Sequence, residues 1–170
     1  RLREMLAARP HLAKEWSADD LNADYRAELF AAIEGQTDFA HVLGALRNAW
    51  ARLVFSIVAA DLKNEISLKD SKTRQTELAE ASIAAAVEVT ARELQRRHGG
   101  KVLSLPLAVM GLGKIGGGGV DFDSDLDLVI VFDETREMGG ANLADAMEYY
   151  SRAAEIFTNA LSAITREGSL

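Results

Sequence analysis

Cysteine is absent from the 170 residues of this chain. Its absence excludes a disulfide framework and any metal site built on thiolates, and it suits a reducing compartment. The chain also lacks a run of eighteen apolar residues, and its N-terminus lacks the pattern of a signal peptide. From these absences we expect a cytoplasmic protein with no membrane partner.

Positive charge is scarce as well. The sequence has 19 Lys and Arg against 26 Asp and Glu, which gives a formal net charge of -7. A large basic surface for a nucleic-acid backbone is therefore not expected, although a local basic patch or a bound metal could still attract a phosphate. No nucleic-acid partner is predicted, and the 48% hydrophobic residues suit a globular protein with a sizeable core.

Apolar residues at helical spacing occupy the first hundred residues. Three helices are predicted: from Ser17 to a stop at Gly35, from Thr37 to a link at 64–67, and from that link to Arg97. Ser17 and Asp20 have the spacing of a capping box, with Asp in the place of Glu. Because Arg1 already lies inside a helical pattern, we expect the sequence to be part of a longer chain.

The pattern changes at Lys101. The segments "VLSLPLAVM" and "LDLVIVF" predict two buried strands, and an apolar seam predicts a last helix from about Asn142. The final "REGSL" is a place where another strand could begin. Because a sheet of two strands is marginal alone, we expect further residues to complete it.

A glycine-rich loop, "GLGKIGGGGVDFDSD", joins the two predicted strands. Its first six letters match the dinucleotide fingerprint G-x-G-x-x-G. That fingerprint must run into a helix whose N-terminus holds the pyrophosphate, whereas the segment that follows here has four consecutive glycines and no apolar helical face. This disfavours a dinucleotide site.

Two calcium-binding patterns match the same loop in part. The glycine-rich nonapeptide is present in one copy, with Asp123 at its large apolar position, and such repeats must stack to form a fold. An EF-hand register counted from Asp123 puts Leu128 where the sharp turn needs glycine. Both calcium interpretations are therefore weak.

A fourth interpretation rests on Asp125 and Asp127 at the start of the second predicted strand. Because side chains alternate along a strand, both carboxylates project from one face, and the leucines beside them face the core. Two such acids form half of a divalent-metal site, since Mg²⁺ prefers oxygen ligands and substrate phosphates. The preceding glycines let backbone N–H groups approach a triphosphate.

The order of strand, Gly-Gly, loop and Asp-x-Asp resembles the DNA polymerase β nucleotidyltransferase superfamily. The longer string "GLGKIGGGGVDFDSDLDLVIVFD" resembles the glutamine synthetase adenylyltransferase family, whose pattern is G-K-L-G-G-x-E-L-x-[YF]-x-S-D-[IL]-D-L. The matching residues are Gly113, Lys114, Ile115, Gly116, Gly117, Phe122, Ser124, Asp125, Leu126, Asp127 and Leu128. The resemblance implies an α+β fold, with a helical region over 1–100 and a partial nucleotidyltransferase core over 101–170 that ends before its third catalytic strand.

The resemblance also implies a function. Members of the family use Mg²⁺ and ATP to move AMP onto a tyrosine of glutamine synthetase, or remove that AMP by phosphorolysis, with the PII signal protein and glutamine as regulators. Each protein carries two related nucleotidyltransferase domains, and the sequence does not distinguish the adenylylating copy from the deadenylylating one. The residues that carry over are the metal ligands Asp125 and Asp127, the phosphate-holding Gly116 and Gly117, and Ser124 and Lys114 as contacts to the nucleotide.

Some roles at the loop stay open. Lys114 is equally well explained as a solvated loop lysine, and Asp121 and Asp123 are predicted to be solubilising loop residues rather than third metal ligands. Gly119-Val120 replaces the family's Glu-Leu, and the third catalytic carboxylate is expected beyond Leu170.

Two alternative functions follow from these departures. One is a catalytically degenerate module of the same fold that binds nucleotide or protein, and the other is a nucleotidyltransferase acting on another protein acceptor. In either case we expect little or no transfer activity from these 170 residues alone.

Overall fold

The computed structural model describes residues 7, 10, 17–97, 107–122, 124–133 and 143–165. Its elements are a 3-10 helix (Ala18–Asn22), α1 (Tyr25–Ile33), α2 (Phe39–Leu62), α3 (Leu68–Arg97), β1 (Leu107–Gly111), α4 (Gly113–Gly116), β2 (Leu128–Phe132) and α5 (Leu143–Thr165). Helices packed on a two-stranded antiparallel sheet confirm the predicted α+β class. The predictions for Arg1, Asp123 and "REGSL" lie outside the described residues.

The predicted capping box forms, but it opens a shorter helix than expected. Ser17 Oγ accepts from the backbone N–H of Asp19 at 3.1 Å, and the Asp20 carboxylate accepts from the N–H of Ser17 at 3.2 Å. The 3-10 helix ends at Asn22, and a second cap follows, where Asp24 Oδ1 accepts from the N–H of Ala27 at 3.0 Å. A single helix to Gly35 was therefore wrong, because a second aspartate offers the backbone N–H groups a new start.

The core lies between the helices. Its fully buried large side chains come from α1, α2 and α3: Leu29, Ile33, Leu46, Leu53, Ile57, Leu78, Val89 and Leu94. Phe157 and Ala160 of α5 belong to the same apolar cluster as most of these residues. Helices α1, α2, α3 and α5 thus share one core, and the domain boundary near residue 100 stays a prediction.

Helix α2 is the most apolar of the helices. By length and composition alone it could cross a membrane, but half of its apolar window is buried against the rest of the chain. The core helix of a globular protein, which is buried on several sides, has the same length and apolar composition.

The two strands pair antiparallel, from Leu107 opposite Phe132 to Gly111 opposite Leu128. One face packs on the helical core through side chains that include Val109 and Ile130. The other face is exposed and carries Met110, Val129 and Val131. The described helices therefore cover one face of the two strands that the sequence predicts to be buried.

Glu93 of α3 is a buried carboxylate near the end of the helix. It accepts two hydrogen bonds from Arg96, both at 2.8 Å, and one from Arg97 at 2.6 Å. Its hydrogen bond from Arg96 is the main cause that lowers the pKa of Glu93, while burial acts in the opposite direction. The charged carboxylate therefore stabilises the folded chain.

We predict that Glu93→Gln lowers the free energy of unfolding by about 1–3 kcal/mol near pH 7. Because the folded pKa lies below the unfolded one, this contribution is present above the unfolded pKa and disappears as the pH falls through the folded pKa. Urea unfolding at several pH values measures it.

The matched control is Glu88→Gln, which removes an exposed pair with Arg92 on the same helix. That change should alter stability by no more than about 0.5 kcal/mol. Equal losses for the two variants, or a loss at Glu93 that persists at low pH, would contradict the prediction.

Candidate functional site

The glycine loop follows β1 directly and begins with one turn of helix, α4. The sequence predicts no helix after the G-x-G-x-x-G letters. The single helical turn lies within these letters, at Gly113–Gly116. It ends at Gly116 and the chain then turns at Gly117 and Gly118. A four-residue turn is too short to be the crossover helix of a dinucleotide-binding fold. The structure therefore also disfavours a dinucleotide site.

Two glycines of the loop have no room for a side chain. A Cβ at Gly116 would lie 2.6 Å from the carbonyl oxygen of Gly111, a backbone atom. A Cβ at Gly113, whose φ is +56°, would lie 2.6 Å from Oδ2 of Asp127. The absence of side chains therefore lets the loop fold back on β1 and lie directly against one of the predicted metal-binding carboxylates.

The backbone N–H groups of Gly116 and Gly117 are already paired within the loop. They donate to the carbonyl oxygens of Leu112 at 3.2 Å and Gly113 at 3.1 Å. In this arrangement these two glycines therefore present no free N–H donors to a phosphate. Their role in holding phosphates stays a prediction.

Asp125 and Asp127 both lie exposed immediately before β2. The leucines that alternate with them, Leu126 and Leu128, pack against the apolar clusters on the opposite side. The structure thus has the alternation that the sequence predicted. In the part of the chain that the structure describes, no group of three or more His, Cys, Asp or Glu side chains is placed to hold a metal, so these two acids need further ligands.

Lys114, Asp121 and Ser124 form one polar cluster beside the loop. Lys114 Nζ lies 3.3 Å from Asp121 Oδ2 and 3.1 Å from Ser124 Oγ, and the Ser124 hydroxyl donates to Asp121 Oδ1 at 3.2 Å. Lys72 of α3 lies 3.5 Å from Asp121 Oδ2. The hydrogen bond from Lys114 is the first cause that lowers the pKa of Asp121, followed by that from Ser124 and the charges of both lysines.

This cluster includes one residue that the sequence did not predict. Lys114 and Ser124 lie together, and Asp121 is hydrogen-bonded to both. Sequence reasoning missed Lys72, because no local signal shows which lysine of a long helix faces a loop 49 residues later. The role of Lys114 toward a nucleotide stays a prediction.

The departure at Gly119-Val120 has a structural setting. Val120 is buried with Ala79 and Ile115 in a small apolar cluster, so valine occupies the apolar position of the family pattern. A Cβ at Gly119 would meet nothing closer than the carbonyl oxygen of Lys114, 4.0 Å away. The fold leaves room for a side chain there, and nothing in the structure explains why this chain has glycine.

Beneath the loop, a cleft of about 240 Å³ is lined by residues of the loop and of α2, α3 and α5. Its walls combine apolar residues, among them Trp50, Leu78 and Leu161, with polar ones that include Gln75 and Asp125.

Comparison with known proteins identifies a family for the chain. The model of the family described as glutamate-ammonia ligase adenylyltransferase matches residues 1–170. The chain is 32% identical over its whole length to a protein of Rhizobium meliloti (strain 1021) and 33% identical over 83% of its length to one of Ralstonia nicotianae (strain ATCC BAA-1114 / GMI1000). Both are named bifunctional glutamine synthetase adenylyltransferase/adenylyl-removing enzyme. The chain spans 18% and 15% of their lengths, respectively.

The surroundings of two glycines, one in the loop and one in α2, predict opposite effects of substitution by alanine on stability. Gly116→Ala puts a methyl group onto a backbone oxygen and should lower the free energy of unfolding by about 1–3 kcal/mol. Gly44→Ala, in the interior of α2 with nothing within 4 Å of the new Cβ, should raise it by about 0.5–1 kcal/mol. Thermal unfolding of both variants measures the difference, and a Gly116→Ala chain as stable as the unmodified one would contradict the close approach.

Proposed function

Because the chain belongs to the glutamate-ammonia ligase adenylyltransferase family, we propose that it forms part of a Mg²⁺-dependent enzyme that transfers AMP from ATP to a tyrosine of glutamine synthetase, or removes that AMP by phosphorolysis. The observation that supports this most directly is the exposed pair Asp125 and Asp127 next to a glycine loop. A divalent cation needs exposed carboxylate ligands, and a nucleotide phosphate needs a loop whose backbone it can approach.

The chemistry is a displacement at phosphorus. In the adenylylating direction, the tyrosine oxygen forms a bond to the α-phosphorus of ATP, its proton is released, and pyrophosphate leaves with the electrons of the broken P–O bond. In the removing direction, an oxygen of inorganic phosphate attacks the same phosphorus and the tyrosine oxygen leaves, which yields ADP. Both directions need the same charge stabilisation at the phosphoryl group, so the site does not indicate which direction this copy serves.

The donor set fits Mg²⁺. This ion takes oxygen ligands and is commonly bound by one or two carboxylates together with substrate phosphates. Asp125 and Asp127 would hold it, and Gly113, which has no side chain, lets the loop backbone lie directly against the Asp127 carboxylate. When bound, the ion would neutralise phosphate charge and orient the leaving group.

The side chains of the loop would assist in binding. Lys114 Nζ already lies beside a hydroxyl and a carboxylate, so a nucleotide phosphate would compete with Asp121 for its positive charge. Ser124 lies next to Asp125 in the chain, and its hydroxyl would contact the nucleotide after exchanging its bond to Asp121. Gly116 and Gly117 would hold phosphate oxygens through their backbone N–H groups, after exchanging the present bonds to Leu112 and Gly113.

Partner and location are part of the proposal. The names of the relatives support glutamine synthetase as the acceptor. Control of the whole enzyme by the PII signal protein rests on the family resemblance, and a cytoplasmic location rests on the composition. Nucleic acid and membranes are not proposed as partners.

The glycine at position 119 favours a second candidate function. A module that has lost catalysis would also tolerate loss of the family's acid at that position, where the structure has room for a side chain. Such a module would bind nucleotide without needing the metal. The two candidates therefore differ in the metal dependence of ATP binding.

We predict that the 170-residue chain binds ATP in the presence of Mg²⁺, and that Asp125→Asn and Asp127→Asn each weaken this binding at least about tenfold, or about 1.4 kcal/mol. Each substitution keeps the size of the side chain and removes a charged oxygen ligand. Isothermal titration calorimetry with and without Mg²⁺ measures the effect.

Asp61→Asn, which makes the same chemical change in α2 away from the loop, is the control and should leave ATP binding unchanged. Binding that is the same with and without Mg²⁺ would favour the non-catalytic module. Loss of binding in all three variants would point to general destabilisation instead of ligand removal.

A second prediction concerns transfer itself. The chain spans about a seventh to a fifth of the length of its relatives, and no group of three or more metal-binding side chains is found among its described residues. We expect no measurable transfer of labelled AMP from ATP to glutamine synthetase by the 170-residue chain alone. Robust labelling would show that these residues suffice.

A further inference from the structure

The turn that leads into Asp125 is attached to α3 by a buried hydrogen bond. The backbone N–H of Val120 donates to Thr76 Oγ1 at 3.2 Å, and both residues are buried. The side chain of Val120 packs with Ala79, three residues further along the same helix. A backbone group and a side chain of the loop are thus both held by α3.

An ion pair adds a second attachment. Lys72 Nζ lies 3.5 Å from Asp121 Oδ2, and Lys72 is one helical turn before Thr76. Asp121 and Ser124 close the turn between them, because the N–H of each donates at 2.9 Å, to Ser124 Oγ and to the carbonyl oxygen of Asp121, respectively. This closed turn ends one residue before Asp125.

Asp127 is held by a different part of the fold. Its carbonyl oxygen accepts from the N–H of Leu112 at 2.8 Å, and the next residue, Leu128, pairs with Gly111 in the sheet. The sheet therefore fixes Asp127, whereas α3 fixes the turn before Asp125. The backbone on the two sides of Leu126 is thus held by two different elements, α3 before Asp125 and the sheet at Asp127.

We propose that Thr76 and Lys72 are positioning residues, which set the placement of Asp125 relative to Asp127 for joint metal binding. The role in metal binding rests on the proposed function. The attachment of the loop to α3 is independent of that function. Thr76 carries the larger share, because its hydrogen bond is buried and a lost partner leaves an unpaired N–H group. The Lys72 pair is partly exposed and contributes less.

The chain contains a matched control for Thr76. Thr76 Oγ1 donates to the carbonyl oxygen of Lys72 at 2.8 Å, and Thr90 Oγ1, also buried in α3, donates to that of Ala86 at 2.7 Å. Thr76→Val and Thr90→Val keep the side-chain shape and each lose this same helix bond. Only Thr76→Val also removes the acceptor for a loop N–H.

The first measurement is amide hydrogen exchange of Val120 by NMR in the intact 170-residue chain. We expect exchange to accelerate at least about tenfold in Thr76→Val beyond any change in global stability, and not in Thr90→Val. Thermal unfolding of both variants supplies the correction. Equal exchange rates in the two variants would overturn the attachment.

The second measurement is binding of Mn²⁺ in the presence of ATP, followed by electron paramagnetic resonance. We expect Thr76→Val to weaken Mn²⁺ binding by about three- to tenfold and Thr90→Val to leave it unchanged. Faster exchange at Val120 with unaltered Mn²⁺ affinity would overturn the positioning role. Absence of Mn²⁺ binding by the unmodified chain would instead overturn the proposed function, and with it the role of Thr76 toward the metal.

Lys72 is tested by Lys72→Met, with Lys72→Arg as the rescue and Lys69→Met as the control lysine on the same helix. Lys72→Met should weaken Mn²⁺ binding by about two- to fivefold at low salt, and less at high salt, because an exposed pair is screened. Lys72→Arg should restore the affinity. An equal loss of Mn²⁺ affinity in Lys69→Met would show that the effect comes from the change in net charge, and it would overturn the role of Lys72.

Discussion

Helix α3 must be buried along most of its length, and the other elements are arranged around that constraint. Its buried positions are filled largely by alanine, serine and threonine, which let neighbouring helices approach closely. The hydroxyls cost little there, because Ser82 and Thr90 each donate to a carbonyl oxygen one turn earlier at 2.7 Å. One helix therefore contacts α1, α2 and α5 and still has Thr76 available for the glycine loop.

The candidate site combines two kinds of support. Backbone pairing between β1 and β2 brings the glycine loop to Asp127, and the polar turn held by α3 brings Asp125 to the same place. The loop can lie this close only because Gly113 and Gly116 have no side chains. The glycines and the aspartates of the motif thus depend on the same local packing.

Much of the fold could be predicted from periodicity. Helices α2, α3 and α5 were found because their apolar stripes are long, and each is confirmed within a few residues. The predictions were less accurate where short-range chemistry or neighbours decide: Asp24 divides the first helix, and the described helices cover one face of the sheet. Neither effect is visible in hydrophobic spacing, because a cap competes locally and burial depends on what else is packed nearby.

The sequence by itself determined the chemistry that is present: the glycine loop, the Asp-x-Asp alternation and the family pattern are local, and local spacing fixes which side chains share a face. Tertiary structure alone decided what those residues contact. Lys72 and Thr76 reach the loop because α3 packs beside it, and Asp121 gains two lysine partners that are 7 and 49 residues away. Such contacts depend on how the helices and the sheet pack in space. The local spacing of residues along the chain does not predict that packing.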